Sequence, residues 1–354
     1  MLFLFELKKM LFTRKGLFVL VICLVLKTAF LFAFPKLIDE RIRLSRKQYD
    51  KYLDVVQGES SDEKDRFLTE SYEACKEILD SRDRMQEQYR TGEITEEEWQ
   101  EYCEAYDQAN LHENALEILN EKAEAFSYMS EVEPTLPRPW YMDEYGWQTV
   151  FTLLRFPDVF LLVVVLLAAV QAFSAEDASG MLPILMSAAK GRRELFLCKV
   201  GALALVTFAA AALFGALEYL VFQIRGFLAD GGVPLYSIKL FSRTWLDLTL
   251  AQGYLICLLV RCVVLTMFSL LIFGVSVWIR GAGNLIVLAV LLLAVPFLFL
   301  TSRIVLFTYP VLASGTEMLK LSAESDIPVS VPVMTMSLCS VTAVLLGMVR
   351  YVDG

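Results

Sequence analysis

The sequence predicts an all-α polytopic membrane protein with six transmembrane helices and a helical soluble domain inserted between the first and second spans. The 354-residue chain is 56% hydrophobic and its mean hydropathy is +0.52, which is typical of membrane proteins rather than soluble domains. Its charges are unevenly distributed, because residues 36–148 contain 29 acidic and 14 basic side chains, while the rest contains 12 and 18. An acidic block inside a hydrophobic, mildly basic chain indicates a soluble domain attached to a membrane body.

Residues 1–15 predict a short amphipathic helix on the cytoplasmic surface of the membrane. Leucine and phenylalanine side chains are interspersed there with Glu6, Lys8, Lys9, Arg14 and Lys15. An apolar face beside basic residues is typical of helices that lie in the membrane interface. The four basic residues favour a cytoplasmic start.

The first span is predicted at residues 16–35. The apolar run of residues 16–34 is close to the roughly 20 residues that cross a bilayer. A cleaved signal peptide is the alternative, but its apolar core is shorter, about 7 to 15 residues, and ends at small residues. This run ends at Phe34, Pro35 and Lys36, so an uncleaved helix is favoured.

Residues 36–148 predict an extracytoplasmic acidic helical domain. Ser60 and Thr95 are each followed by a glutamate three residues later, which is the spacing of a capping box at the start of a helix. Apolar and aromatic residues follow both at helical spacing, and Gly92 between them is a plausible helix end. The simplest architecture is an antiparallel helical hairpin or a small bundle with a narrow apolar core.

Two of the seven cysteines, Cys75 and Cys103, lie in this acidic block. They can form a disulfide if the block faces an oxidising compartment, although a helical hairpin would offset them along its axis. The other five lie in or beside apolar runs and are predicted to be packing residues. The sequence has no CxxC pair and His112 is its single histidine, so we predict no metal site.

Five further spans are predicted within residues 149–354. The apolar runs that form them are 157–173, 200–223, 256–279, 285–300 and 332–349. The segments on one side of these spans contain ten basic residues, against five in the short loops opposite. This bias predicts a multi-pass protein of the cell membrane with both termini in the cytoplasm and the acidic domain outside.

Three ionisable residues, Lys27, Glu218 and Arg261, lie within the predicted spans. Charges are costly in a bilayer, so each is either paired for structural reasons or part of a polar path between the helices. In the predicted topology all three are in the outer halves of their helices, and Glu218 can pair with Arg261 or Lys27. Arg155 and Asp158 are predicted at the same level.

Common catalytic motifs are absent from the sequence. It contains no GxxxxGK[ST] phosphate loop, no HExxH and no GxSxG, and one histidine cannot supply a catalytic relay. We therefore predict no catalytic residue and no cofactor in this chain. An acidic domain repels phosphates, so a nucleic-acid partner is not expected.

The connection after the second span, residues 174–196, begins with acidic residues and ends with basic ones. It resembles the coupling segment of the ABC-2 type ATP-binding-cassette exporter permeases, in which an acidic residue, a glycine, a leucine-rich stretch and a basic patch precede a lysine that opens the next span. The matching positions are Glu176, Asp177, Gly180, Leu182, Leu185, Met186, Arg192, Arg193 and Lys199. The basic N-terminal segment and the six predicted spans also resemble that family.

The resemblance implies a permease subunit that dimerises with itself or a similar permease. Its partner would be a separately encoded ATP-binding-cassette ATPase, which holds ATP and Mg²⁺ and docks on residues 174–196. The helices would form the export path for an unknown substrate. The insertion at residues 36–148 departs from the simplest family members, whose corresponding loop is short, and leaves the substrate class open.

Two other classes of protein remain as alternatives. A membrane receptor or adhesion protein could bind a partner through the helical domain and use its spans as an anchor and relay. A secondary transporter is disfavoured because the sequence shows no internal repeat and no paired helices broken by Gly or Pro.

Overall fold

The computed structural model describes residues 2–13, 16–155, 158–178, 192–242, 244, 246–279, 282–294, 307–325 and 327–353. Of the residues just given, 81% are helical and almost none are in strands. Within this part of the chain, four helices are long and apolar enough to cross a membrane, and another apolar helix, over Val159–Val170, is shorter. These observations confirm the predicted helical, multi-pass membrane class.

In chain order the helices are α1 (Leu2–Lys8), α2 (Gly16–Ala33), α3 (Glu40–Leu44), α4 (Arg46–Val56), α5 (Asp62–Asp80), α6 (Arg82–Thr91), α7 (Glu96–Val132), α8 (Tyr145–Leu153), α9 (Val159–Ala178), α10 (Arg192–Ile224), α11 (Leu250–Ser276), α12 (Ala282–Ala294), α13 (Tyr309–Leu312), α14 (Gly315–Ser325) and α15 (Ser330–Asp353). A π-helical turn, Lys9–Thr13, follows α1. Two short strands, β1 (Gly58–Glu59) and β2 (Trp140–Tyr141), pair antiparallel. Helices α2, α9, α10, α11, α12 and α15 overlap the six predicted apolar runs, and residues 295–300 of the fifth run lie outside the described residues.

The chain divides into two compact units. The first, termed the apolar unit, comprises Met1–Pro35, Val150–Leu228 and Ala251–Gly354. The second, termed the acidic unit, comprises Lys36–Thr149 and Ala229–Leu250. The first segment of the acidic unit has nearly the bounds of the predicted domain at residues 36–148. The prediction missed the second segment, where the sequence indicates only a loop.

Hydrogen bonds between the two segments of the acidic unit explain why the domain is discontinuous. The indole nitrogen of Trp147 donates to the carbonyl oxygen of Ala229 at 2.5 Å. The backbone nitrogen of Lys239 donates to the Glu144 carboxylate at 2.5 Å. Both bonds join residues more than 80 positions apart, so no local sequence pattern reveals them.

Helices α5 and α6 run antiparallel to α7 and form the predicted hairpin. Gly92 ends α6 with a left-handed backbone φ of 76°, a conformation that glycine adopts without strain. The capping box predicted at the start of α7 is confirmed. The Thr95 hydroxyl accepts from the Glu98 backbone nitrogen at 3.3 Å, and the Glu98 carboxylate accepts from the Thr95 backbone nitrogen at 2.7 Å.

The start of α5 differs from the prediction of a capping box at Ser60. The N-cap is Ser61, whose hydroxyl accepts from the backbone nitrogen of Lys64. Ser60 instead donates to both carboxylate oxygens of Asp65 at 3.1 Å, and the Tyr141 hydroxyl donates to the same carboxylate at 2.6 Å. The pairing of β1 with β2 brings Tyr141 to this carboxylate, a long-range constraint that local spacing does not contain.

The hairpin packs with α3 and α4 around the core of the acidic unit. The buried core residues are Ile42, Tyr49, Leu53, Val56, Leu68, Ala115, Ile118, Leu119, Ala123, Phe126, Tyr141 and Tyr145. Towards the tip of the hairpin the packing becomes aromatic, and Trp99 stacks on Tyr89 and Tyr102 with ring centroids 5.2 and 5.7 Å away. The predicted narrow apolar stripe therefore extends from an aliphatic core to an aromatic tip.

Cys75 and Cys103 are free thiols, so the disulfide left open by the sequence is not formed. Cys75 is buried in the hairpin, where its Sγ donates to the carbonyl oxygen of Ala109 at 3.2 Å. Burial raises the pKa of the Cys75 thiol. Cys103 lies six residues from Ala109 on α7, which is roughly 9 Å along the helix and too far for a bond to Cys75.

Helix α1 packs against α10 in the apolar unit with an unexpected orientation. Glu6 is buried, whereas Leu4 and Phe5 are 66% and 61% exposed. A helix is present over Leu2–Lys8 within the predicted segment of residues 1–15, and its acidic side chain faces the protein while Leu4 and Phe5 face outward. This orientation is favourable where hydrocarbon, rather than water, surrounds the helix.

Two glycines allow α11 and α15 to pack with their backbones in contact. A Cβ atom on Gly274 would lie 2.6 Å from the backbone of Ala343, and one on Gly347 would lie 2.8 Å from the carbonyl oxygen of Gly274. Small residues at such crossings let helices associate through close van der Waals contact. A larger side chain at either position would force the helices apart.

Candidate functional site

The candidate functional site is a cluster of four buried charged residues in the apolar unit. Lys27 belongs to α2, Asp158 directly precedes α9, Glu218 belongs to α10 and Arg261 belongs to α11. Their exposed fractions are 7%, 8%, 2% and 3%. The sequence singles out Lys27, Glu218 and Arg261 as charges within spans, and the structure brings all three together with Asp158.

Glu218 is the centre of the charge cluster. Its Oε2 accepts from Nη2 of Arg261 at 2.5 Å and its Oε1 accepts from Nη1 at 3.3 Å, so the guanidinium binds the carboxylate with two donors. The same Oε1 lies 2.9 Å from Nζ of Lys27, which in turn lies 3.1 Å from Oδ2 of Asp158. Glu218 therefore pairs with both cations that the sequence offers.

Asp158 has two roles, one for each of its carboxylate oxygens. Oδ1 accepts from the backbone nitrogens of Phe160 and Leu161 at 3.0 and 3.4 Å, which caps the start of α9. Oδ2 faces Lys27. The cap holds the carboxylate in place, so the ion pair with Lys27 requires little further ordering of the side chain.

Gly215 provides room for the guanidinium of Arg261. It lies one turn before Glu218 on α10, and an added Cβ would be 3.4 Å from Leu258 and 3.7 Å from Nη2 of Arg261. These are contact distances for a methyl group, so a larger side chain would displace Arg261. Gly215 thus serves the packing of α10 against α11.

The charge cluster is formally neutral, with two cations and two anions. Desolvation of buried ions costs about as much as their mutual attraction returns, so each ion is tolerated only while it is paired. Removal of one member leaves its partner uncompensated, at a cost of about 3–5 kcal/mol. The cluster can thus hold four helices in one arrangement and make their movement depend on an exchange of partners.

Arg261 keeps one donor that the cluster does not use. Its Nε is buried and has no hydrogen-bond partner among the described residues. A water molecule or a polar ligand commonly satisfies such a group. Arg155, predicted at the same level, pairs instead with Glu317 of α14 at 2.8 Å.

A second buried ion pair joins α1 to α10. Nζ of Lys199 donates to Oε2 of Glu6 at 3.0 Å and to the carbonyl oxygen of Ala172 on α9 at 3.5 Å. The two charged side chains are 0% and 3% exposed. Sequence reasoning assigns Glu6 to the polar face of an interfacial helix and misses this pair. The sequence does contain one indication of this ion pair, because Glu6 is the single acidic residue among the first 15.

The predicted coupling segment is only partly described by the structure. Gly180, Leu182, Leu185 and Met186 fall within residues 179–191, outside the described residues.

The described ends of the coupling segment belong to two different helices. Glu176 and Asp177 lie in the last turn of α9. Arg192 and Arg193 begin α10. Nη1 of Arg192 donates to the carbonyl oxygen of Val352 near the end of α15 at 3.0 Å, whereas Arg193 is exposed. Arg192 thus contributes to packing within the apolar unit.

Among the described residues, no group of three or more His, Cys, Asp or Glu side chains could hold a metal ion. The Nδ1 of His112 lies 2.7 Å from the hydroxyl of Tyr52, a hydrogen bond between α7 and α4. Comparison with protein-family models, with curated proteins and with solved structures gives no match. The function is therefore argued from the geometry of the two buried ion-pair sites.

Proposed function

We propose that this chain is the membrane-spanning permease subunit of an ATP-driven exporter and works with a separately encoded ATP-binding-cassette ATPase. The observation that carries the proposal is the contact of Lys199 with Glu6 and Ala172, which joins α1, α9 and the start of α10. Residues 179–191 connect α9 to α10. A force on that connection acts on all three helices together, as coupling to an external motor requires.

The connectivity of the acidic unit supports the proposed directions of the first four spans. Its two segments, Lys36–Thr149 and Ala229–Leu250, follow α2 and α10 and belong to one compact unit. Both segments are then on one side of the membrane, and α2, α9, α10 and α11 alternate in direction. The bias of basic residues makes this side the outside, so residues 179–191 and both termini are cytoplasmic.

In this proposal the charge cluster is the part of the helix bundle that changes state. The ATPase binds ATP and Mg²⁺, and its closure pushes on residues 174–196. Movement of α9 and α10 changes the spacing of Asp158 and Glu218 from Lys27, because the three residues lie on different elements. Nucleotide shifts the population between two arrangements of the bundle, and a second copy or a similar permease completes the path for the exported substrate.

The coupling surface is tested by purifying the chain with its ATPase. We expect Leu185→Asp to lose the ATPase, since a charge replaces an apolar anchor in the proposed interface. Charge reversal at Glu176 and Asp177 should weaken retention. Leu111→Asp changes an exposed leucine of α7 in the acidic unit and serves as the matched control. A folded Leu185→Asp protein that retains and stimulates its ATPase as the parent does would contradict the proposal.

The transmitting contact is tested separately with the double variant Glu6→Leu, Lys199→Met. Replacing a buried ion pair by apolar residues of similar volume is often neutral for stability, so the variant should fold. We expect it to retain the ATPase but to stimulate ATP hydrolysis less than the parent. Unchanged stimulation would show that the Glu6–Lys199 contact does not transmit the force.

The topology is tested by labelling introduced cysteines in intact cells, in a chain whose Cys103, Cys198 and Cys339, the native cysteines that are not buried, are replaced by serine. A cysteine at position 110, which is exposed on α7, should react with an impermeant reagent from outside. A cysteine at position 190 should not react. If no ATPase co-purifies with the parent chain, a receptor or adhesion protein that binds a partner through the acidic unit becomes the better account.

A further inference from the structure

We infer that a cavity between α1, α2, α9 and α10 binds the acyl chain of an anionic phospholipid. The cavity has a volume of about 360 Å³, within the range of small-molecule sites. It is separate from the charge cluster. Its lining on α2 ends at Leu20, seven residues before Lys27, which is roughly 10 Å along the helix.

The side chains that line this acyl-chain cavity are all apolar. The N-terminal segment contributes Leu7 and Met10, α2 contributes Leu20, and α9 and α10 contribute Val164 and Leu205. None of its 14 lining side chains carries a charge, a hydroxyl or an amide. Such a lining cannot orient a polar ligand, but it stabilises a hydrocarbon chain by removing apolar surface from water.

The acyl-chain cavity is partly open, and the helix surface around it is also apolar. Phe18 of α2 and Phe208 of α10 are 65% and 43% exposed, and Leu213 at the edge of the cavity is 45% exposed. In a bilayer these side chains contact hydrocarbon, so lipid is the molecule with direct access to the opening.

The charge beside the cavity favours an anionic headgroup. Glu6 is neutralised by Lys199, and both are buried, so the single acidic residue of the N-terminal segment does not offset its basic neighbours. Lys8 is exposed in the last turn of α1 and directly follows Leu7, which lines the cavity. This adjacency in sequence places an exposed ammonium group near the cavity, and we assign it to the phosphate of the bound lipid.

The test uses the full-length protein in detergent and a phosphatidylglycerol probe that carries a photoactivatable diazirine on its acyl chain. A matched phosphatidylcholine probe is the comparison. We expect labelled peptides to include residues 7–11 and 205–213, with about fivefold more labelling by phosphatidylglycerol, the effect of one nearby lysine. Neither ATP nor the ATPase is present, so the outcome is independent of the proposed transport function.

Substitutions distinguish the cavity from general lipid contact. Ala209→Phe fills the cavity and should lower labelling at least tenfold, whereas Ala212→Phe changes an exposed alanine of the same helix outside the lining and should not. Ala168→Phe is a second filling variant if Ala209→Phe does not fold. Lys8→Glu should remove the preference for phosphatidylglycerol. Equal labelling of Ala209→Phe and Ala212→Phe, or of the parent by the two lipids, would overturn the proposal.

Discussion

The acidic and apolar units use charged residues in opposite ways. In the acidic unit, 29 acidic and 14 basic side chains are spread over residues 36–148, and pairs such as Arg41–Glu117 are about one-third exposed. In the apolar unit, Lys27, Glu218 and Arg261 are all less than 10% exposed and share one cluster with Asp158. Water stabilises an unpaired charge, whereas lipid does not, so the same side chains confer solubility in one unit and constrain helix positions in the other.

The largest expected effect is the loss of the central acceptor of the charge cluster. Glu218→Ala leaves both Lys27 and Arg261 without their shared partner and should destabilise the protein by about 3–5 kcal/mol. Glu113→Ala, at an exposed glutamate of α7, should change stability by less than about 0.5 kcal/mol. Thermal unfolding of the two variants in detergent measures the difference. Equal shifts in Tm would refute the comparison between the units.

Replacing the Glu218–Arg261 ion pair by apolar residues is a second test of the comparison between the units. The double variant Glu218→Leu, Arg261→Met removes both members of this ion pair and leaves Lys27 paired with Asp158. We expect it to recover most of the stability lost in Glu218→Ala, because a buried ion pair and a well-packed apolar pair are of similar stability. Its Tm should lie closer to the parent than to Glu218→Ala. A Tm below that of Glu218→Ala would indicate that the Glu218–Arg261 ion pair itself stabilises the bundle.

Asp65 tests how the acidic unit tolerates a buried carboxylate. Asp65→Asn removes an acceptor of the hydrogen bonds from Ser60 and Tyr141 and should cost about 1–3 kcal/mol. Asp62→Asn, three residues earlier, changes a side chain that is 85% exposed and should have little effect. Hydrogen exchange of Tyr141 and its neighbours in β2 is the measurement. Unchanged exchange in Asp65→Asn would show that Asp65 does not hold the β1–β2 pairing.

Loss of the N-cap of α7 should destabilise the protein less, and only near the start of that helix. Thr95→Ala removes the hydroxyl that accepts from the Glu98 backbone and should cost about 1 kcal/mol. Faster hydrogen exchange in the first turn of α7 would report it, while the core around Leu119 and Phe126 should be unaffected. Glu97→Ala, at an exposed residue of the same turn, is the control and should not change that exchange appreciably.

The smallest expected effect is a dependence of the stability of the acidic unit on pH, which arises from Asp143. Burial opposes ionisation of this carboxyl, but hydrogen bonds and charges from Lys36 and Arg46 outweigh burial and lower its pKa. Because the folded pKa lies below the unfolded value of about 3.9, this contribution is present above that pH and is lost as the pH falls through the folded pKa. The pairs are about one-third exposed, so solvent screening keeps the effect small.

The change of stability between pH 6 and pH 3 measures this contribution. Asp143→Asn should reduce the loss of stability on acidification, whereas Glu113→Gln at an exposed position should not. An identical acid profile in the parent and in Asp143→Asn would show that Asp143 does not contribute.

Several features of this protein are determined by the sequence alone. The positions of the long apolar helices follow from hydropathy, which depends on a segment and its solvent and not on its neighbours. The capping box at Thr95 and the end of α6 at Gly92 follow from local backbone chemistry. The pairing of Glu218 was predictable because an isolated charge in a span requires a partner.

Other features were decided only by the tertiary structure, because they depend on which distant segments become neighbours. The sequence did not reveal that Glu6 pairs with Lys199 or that residues 229–250 complete the acidic unit. It also did not reveal that the Ser60 hydroxyl donates to Asp65, so that Ser61 and not Ser60 caps α5. The local sequence indicates which kind of partner a side chain requires, such as a hydrogen-bond donor or an opposite charge. Only the packing of helices far apart in the chain decides which group supplies it.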